Sequence, residues 1–405
     1  DPITPLPEVC LLSNGSFSSV VTASGGGFTR HGSIALSRWR EDPVIDPPGI
    51  GMYIRDVTGD AVWSPAYEPC RVPSNDMRIQ FSLHQASFMR KDGPIGTELD
   101  ICVSPEHNVE IRRLKLTNES AETRIFEVTT YTEVVLAPPL ADDAHPALSK
   151  LFVQTEYDAE EECLLAVRRP RDGHEQHRWA FHTLSIGCDC LGPIEYETDR
   201  AIFIGRGHSM QRPQTLHTKL TGTVGAVLDP IFAIRRRVSV GPGETVKLFG
   251  VTGVAESRDE SISIAKSLCG EQQIDRTFQL AWTHSRIDLR HQRLTAHEAS
   301  LLHTLAGRVL YASPLRQERA ASIEANVKGQ SGLWSMGISG DLPIVLVTLE
   351  DRAQLPFAIR LMSGHGYLCR KGLPFDLVIV NESAGGYQQS GPECRWRSPN
   401  KLLVQ

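Results

Sequence analysis

Val109-Glu110-Ile111-Arg112-Arg113-Leu114-Lys115-Leu116-Thr117 alternates apolar and polar residues with a period of two and then meets Asn118-Glu119-Ser120. Side chains on an extended chain point alternately to opposite faces, so this pattern is that of a strand. Thr123-Arg124-Ile125-Phe126-Glu127-Val128-Thr129-Thr130-Tyr131 resumes the alternation, and the two runs read as a hairpin. Val238-Ser239-Val240, Gly241-Pro242-Gly243-Glu244 and Thr245-Val246-Lys247-Leu248 repeat the scheme. Working outward, short β-branched and aromatic runs separated by turn residues continue up to about Val254 with no helical period between them. So many strands over roughly 250 residues predict one large antiparallel β-sandwich.

Beyond about Asp259 the period changes. Ile262, Ala265 and Leu268, then Phe278, Trp282 and Ile287, fit helical faces with a break near Gly270. Thr295-Ala296-His297-Glu298 has the form of a capping box, followed by Leu301, Leu302, Leu305 and Val309 at helical spacing. Further helices are expected over 341–350 and 351–370, the second opening at Asp351. Phe375 to Glu382 is an apolar, β-branched run ending in a carboxylate, and Ser390 to Gln405 reads as a disordered tail or an out-of-frame end. The expected organisation is a sandwich over 1–258, helices over 259–389 and a divergent tail over 390–405.

With 405 residues and 40% hydrophobic content the chain can bury a large core. A net charge of −6 with mixed signs argues against a nucleic-acid partner, which asks for a basic face. The one basic cluster, Arg235-Arg236-Arg237, lies in a strand pattern and reads as an edge strand or as alternation around one buried stem. Nine scattered cysteines without a Cys-x-x-Cys pair predict buried thiols in a reducing compartment rather than a zinc site or a disulfide framework. No apolar run reaches the roughly 18 residues of a membrane helix. The start at Asp1-Pro2, with no initiator Met, is read as a piece of a larger protein or an incompletely read frame.

No phosphate-cradling Gly-x-x-x-x-Gly-Lys and no His-Glu-x-x-His is present, and Gly25-Gly26-Gly27 lacks the following helix of a dinucleotide site. No metal and no cofactor are expected. Gly329-Gln330-Ser331-Gly332-Leu333-Trp334 and Ile338-Ser339-Gly340-Asp341-Leu342-Pro343 form a glycine-rich loop bearing a Trp that suits a sugar ring, or else a tight interhelical connection with a buried Trp. Carboxylates at helix ends and loops suit glycosyl chemistry, in which one protonates the leaving oxygen and another attacks or activates water. Glu298, Asp341, Asp376 and Glu382 are the candidates. Each has a structural alternative: Glu298 closes the capping box, Asp341 caps a helix, Asp376 is a solvated strand residue, and Glu382 ends a strand.

Several segments resemble one family. They include Pro5-Leu6-Pro7-Glu8-Val9, Ser37-Arg38-Trp39-Arg40-Glu41-Asp42, Tyr53-Ile54-Arg55-Asp56 and Glu133-Val134-Val135-Leu136-Ala137-Pro138-Pro139. Phe203-Ile204-Gly205-Arg206-Gly207, Leu228-Asp229-Pro230-Ile231, the Trp334 loop and Asp376 to Glu382 continue the match. Together they are similar to the middle, cyclisation region of bacterial cyclic β-1,2-glucan synthases. The resemblance implies a glycoside hydrolase family 94-like fold, a sandwich followed by the first helices of an incomplete (α/α)6 barrel. It implies a membrane-bound parent at the cytoplasmic face of the inner membrane, with further synthase domains as partners and β-1,2-glucan as substrate. The reaction implied is retaining transglycosylation that closes linear glucan into a ring. By motif position Glu298 would be the general acid/base and Glu382 the nucleophile, with Trp334, Asp341, Asp376 and Tyr387 lining the glucan subsites. The fragment by itself is expected to be inactive. The alternatives are a non-catalytic carbohydrate-binding or scaffolding sandwich and a family 94-type glucan phosphorylase.

Overall fold

The run at 109 forms strand β1 (Val109–Asn118) and the next run forms β2 (Arg124–Ala137), but the two are not a hairpin. In this computed structural model β1 belongs to an eight-stranded antiparallel sheet and β2 to a nine-stranded one. The same holds for β3 (Pro230–Val240) and β4 (Thr245–Ala255): β3 pairs with β2, and β4 with β1. Each turn therefore carries the chain from one sheet to the other, and the two arches lie side by side. Asn118 joins them. Its N–H donates to Glu244 O at 3.0 Å, its carbonyl accepts from Gly243 at 2.7 Å, and its side-chain amide donates to Val240 O and Glu122 O at 2.8 Å each. Alternation and turn residues announce a strand and a reversal, but they do not say whether the partner lies beside or across.

The described residues are 1–170, 177–187, 190–311 and 320–382, with the backbone of Leu403–Val404. They fall into two units, Asp1–Ser285 and Arg286–Gln405. In the first, Leu114 and Leu116 from β1 meet Phe126 and Val128 from β2, Phe232 and Ile234 from β3 and Leu248 from β4 between the sheets. Val109 and Ile111, at the other phase of β1, face outward under α1 (Arg258–Ser267) and the first turns of α2 (Glu271–Gln292). Ile264, Ala265, Leu268, Ile274 and Phe278 supply that cover, and the break between the helices falls at Gly270 as expected. Trp282 and Ile287, expected on the same face, are instead about half exposed.

The arginine cluster is not on an edge, because β3 lies between β2 and Glu195–Asp199. Arg235 is buried and donates to Thr215 O, Thr218 O and Thr129 Oγ1. Arg236 reaches Leu184 O and Glu162, and Arg237 pairs with Glu127. Each guanidinium is spent on the sandwich itself. The seven described cysteines carry thiols, four of them buried.

In the second unit α3 (Ala296–Leu310) has both halves of the Thr295/Glu298 capping box. α4 (Leu355–Arg370) crosses it at Gly364, where a Cβ would come within 2.6 Å of Leu302 Cδ2. The segment 341–350 is not a helix. Ile344–Leu349 is strand β5, parallel to β6 (Asp376–Asn381), with Leu403–Val404 beyond β6. The run Ile-Val-Leu-Val-Thr-Leu is β-branched and suits a pleated surface better than a helix. A sandwich followed by helices is thus the fold, with a small parallel sheet set among those helices. Among the described residues no helix is long and apolar enough to cross a membrane.

Candidate functional site

The carboxylates singled out in the sequence occupy different ends of the second unit. Glu298 stands on the first turn of α3, where its Oε2 accepts from Thr295 N–H at 2.7 Å and from the Thr295 hydroxyl at 2.8 Å. Its Oε1 lies 3.4 Å from Arg360 on α4. The Thr295 backbone and hydroxyl hydrogen bonds, helped by Arg360, hold this carboxyl below the ordinary glutamate range. A carboxylate held in its charged form is a poor proton donor at neutral pH.

Glu382 directly follows β6, and its N–H donates to Leu349 O at the end of β5 at 2.8 Å. That is the carboxyl end of the parallel strands, where open α/β layers collect ligands. Asp376 begins β6, at the opposite end. Six residues at about 3.3 Å each separate it from Glu382 by ~20 Å, too far for one sugar ring to touch both. Trp334 ends the helical turn Ser331–Trp334 and Asp341 lies on the loop after it that enters β5, on the Asp376 side. Gln330 Nε2 donates to Asp341 Oδ1 and to Ser339 O, each at 2.9 Å, and Trp334 Nε1 donates to Ser339 O at 3.3 Å. Asp341 therefore braces its own loop and caps no helix. Trp334 is 64% exposed rather than buried, leaving its ring open to solvent. Tyr387 lies outside the described residues. Among the described residues no group of three or more His, Cys, Asp and Glu side chains could hold a metal ion.

A second polar constellation, which the sequence reading passed over, sits on the outer face of the nine-stranded sheet. Arg38 donates from Nε to Asp142 at 2.9 Å and from Nη1 to Glu133 at 2.8 Å, with its side chain only 5% exposed. Arg200 Nε reaches Glu133 at 3.1 Å and the Tyr131 hydroxyl at 3.0 Å, and Tyr131 donates to Glu133 at 2.9 Å. Lys150 Nζ lies 2.8 Å from Asp229, which also faces Arg38 and Arg200 at 3.7 Å. Burial opposes the charge on Arg38, but its bonds to Asp142 and Glu133 outweigh it and raise its pKa. Burial also pushes the Tyr131 phenol well up, so it stays protonated. A signal was available: Glu133 interrupts apolar strand residues and Arg38 directly follows the strand Ile34–Ser37, inside two of the segments that carry the resemblance.

Residues 1–271 match the glycosyl hydrolase 94 supersandwich domain, two thirds of the chain and the whole two-sheet body. The chain belongs to that family. This supersandwich chain is 33% identical over 392 residues to a cyclic beta-(1,2)-glucan synthase, NdvB, of Rhizobium meliloti strain 1021, a match covering 96% of the chain and 14% of that protein. It is 24% identical over 289 residues to a solabiose phosphorylase of Paenibacillus borealis, covering 68% of the chain and 35% of the enzyme. Among solved structures it is similar to a bacterial glucoamylase complexed with acarbose, at 11% identity and a TM-score of 0.44, over 77% of the chain and 41% of that structure. The supersandwich chain thus spans a small part of the synthase and about a third of the phosphorylase.

Proposed function

We propose that this chain handles β-1,2-glucan within a membrane-bound cyclic β-1,2-glucan synthase, at the cytoplasmic face of the inner membrane. In this reading the surrounding domains are its partners and the reaction is retaining ring closure. The observation that carries the reading is the 33% identity to the Rhizobium synthase, which runs through both units rather than the sandwich alone. The phosphorylase likeness is weaker and covers 68% of the chain.

Retention needs two carboxyls about 5–5.5 Å apart, one a nucleophile and one an acid/base. Glu382 takes the nucleophile's role, supported by its place at the carboxyl ends of β5 and β6. Glu298 takes the acid/base role only by leaving Thr295 and Arg360, since both of its oxygens are engaged. Trp334 would stack a glucosyl ring, while Asp341 and Asp376 would serve a subsite remote from Glu382.

The test uses the complete synthase with linear β-1,2-glucan and reads cyclic product. Glu382→Gln is expected to abolish ring formation while the protein stays folded. Glu298→Gln separates two roles: loss of turnover at unchanged melting supports the acid/base, whereas lowered melting with full turnover leaves it a helix cap. The 405-residue chain alone is expected to form no ring. Rings from Glu382→Gln would overturn the assignment.

A further inference from the structure

The ion network around Arg38 floors an open cleft of about 460 Å³. Residues distant in sequence meet there: Arg38, Arg40, Arg71, Glu133, Lys150, Arg200 and Gln211, with Ile45, Pro47, Pro48 and Met210 as an apolar wall. All belong to the first unit. The floor is balanced, with Arg38, Lys150 and Arg200 set against Glu133, Asp142 and Asp229. At the mouth Arg71 pairs with Glu68 and Arg40 with Asp143. The lining itself carries five cations, Arg38, Arg40, Arg71, Lys150 and Arg200, to one carboxylate, Glu133, and each cation is paired with a carboxylate at or behind that lining.

The walls are held by strained backbone. Asp46 and Arg71 are two of six non-glycine residues with positive φ among the described residues; Arg71 lines this cleft and Asp46 lies between the lining residues Ile45 and Pro47. Asp46 accepts from the Thr22 hydroxyl at 2.7 Å and the Ser24 hydroxyl at 2.5 Å, and Arg71 Nη2 donates to Ile45 O at 2.6 Å. Gly49 lies so close to Arg38 that a Cβ would fall 2.0 Å from its carbonyl oxygen. Strain retained at one place signals a shape worth keeping.

We propose that this cleft binds a glucosyl unit of the β-glucan, apart from the carboxylates of the second unit. Each sugar hydroxyl both donates and accepts, so hydroxyls of one ring can accept from the guanidinium and ammonium groups of the lining and donate to Glu133. The proline and methionine wall meets the C–H face of the ring. The half-buried Gln211 carboxamide has no hydrogen-bond partner among the described residues and supplies a donor and an acceptor at the mouth. The proposal rests on the glucan reading above and adds a holding site on the sandwich, where one stretch of chain is anchored while another is processed.

The experiment titrates the 405-residue chain with β-1,2-, β-1,4- and α-1,4-linked gluco-oligosaccharides and with inorganic phosphate, by calorimetry. The variants are Arg40→Ala and Gln211→Ala, both outside the buried floor, with melting checked for each. A β-1,2 oligosaccharide is expected to bind, and the double variant to weaken it about tenfold, the loss of two hydrogen bonds. Binding of another glucoside alone, weakened by the same variants, keeps the cleft and overturns the β-1,2-glucan reading. Binding of β-1,2 oligosaccharide that the variants do not touch overturns the cleft and leaves that reading standing. Phosphate binding that the variants abolish, or no saccharide binding at all, overturns the proposal.

Discussion

The two units differ in how much paired charge they bury: many ion pairs in the sandwich, and in the second unit chiefly Lys371 with Asp288. In the sandwich, arginines and carboxylates go inside, where Glu110–Arg112 and Arg38–Asp142 are almost wholly buried and fully paired. In the second unit the Glu298–Arg360 pair stands at the rim, while apolar side chains point outward: Leu346 is 47% exposed, Phe357 59% and Ile359 55%. A parallel sheet is ordinarily covered on both faces, yet β5 turns Ile344 and Leu346 to solvent. The sandwich completes its own core, with the helices α1 and α2 closing its outer face. Among the described residues of the second unit, Ile344 and Leu346 of β5 stay open to solvent. Size and closure of the hydrophobic layer, rather than composition, decide how much polarity a unit can bury.

The difference predicts two separable unfolding transitions, with the sandwich the more resistant. The sharpest challenge is Arg38→Met, which leaves Asp142 with an unpaired buried charge, while Glu133 keeps Arg200 and the Tyr131 hydroxyl. It is expected to cost about 3–5 kcal/mol in urea unfolding, confined to the sandwich transition. An unchanged midpoint would mean that the network is solvated and the comparison wrong. Next, Asn118→Ala removes the amide that joins the two arches, and about 2–3 kcal/mol should be lost from the same transition.

His182 tests the interior through pH. It bridges the sheets between the Thr130 and Thr252 hydroxyls at 2.7 and 2.8 Å, and burial, with Arg112 nearby, lowers its pKa to about 3. The unfolded chain therefore binds the extra proton between about pH 6.5 and 3, so stability is complete above this window and falls as pH drops through it. In His182→Gln the slope of stability against pH should flatten there, and a parallel curve would exclude His182 as its source. In the second unit, Gly364→Ala gains about 1 kcal/mol of helix propensity but drives a methyl into Leu302, so a net loss of roughly 1 kcal/mol is expected in the lower transition. The smallest effect is on the exposed cap: Glu298→Gln should lower only that transition slightly. The depressed Glu298 pKa makes its contribution present above the unfolded pKa and lost as acid protonates it, which a melt at two pH values reads.

Much of this was legible in the residues. The strand alternation at 109 and 123, the helix break at Gly270, the capping box at Thr295 and the Asp351 cap are local events, set by the pleat, by propensity and by bonds reaching three or four residues, and the structure reproduces them. Even the double burial of β1 was written there, because its apolar phase shifts from Val109 and Ile111 to Leu114 and Leu116 across Arg112-Arg113. The helix expected at 341–350 failed where a parallel partner thirty-odd residues away made extended chain the better choice. Which strand crosses to which sheet, why three consecutive arginines are all spent on the sandwich, and why Asp376 and Glu382 stand at opposite ends of one strand were decided by tertiary structure alone. So was the meeting of Arg38, Glu133, Arg200 and Asp229. A buried charge is tolerable only opposite its partner, and which residues become opposite is settled by how distant strands stack, a relation that no spacing along the chain encodes.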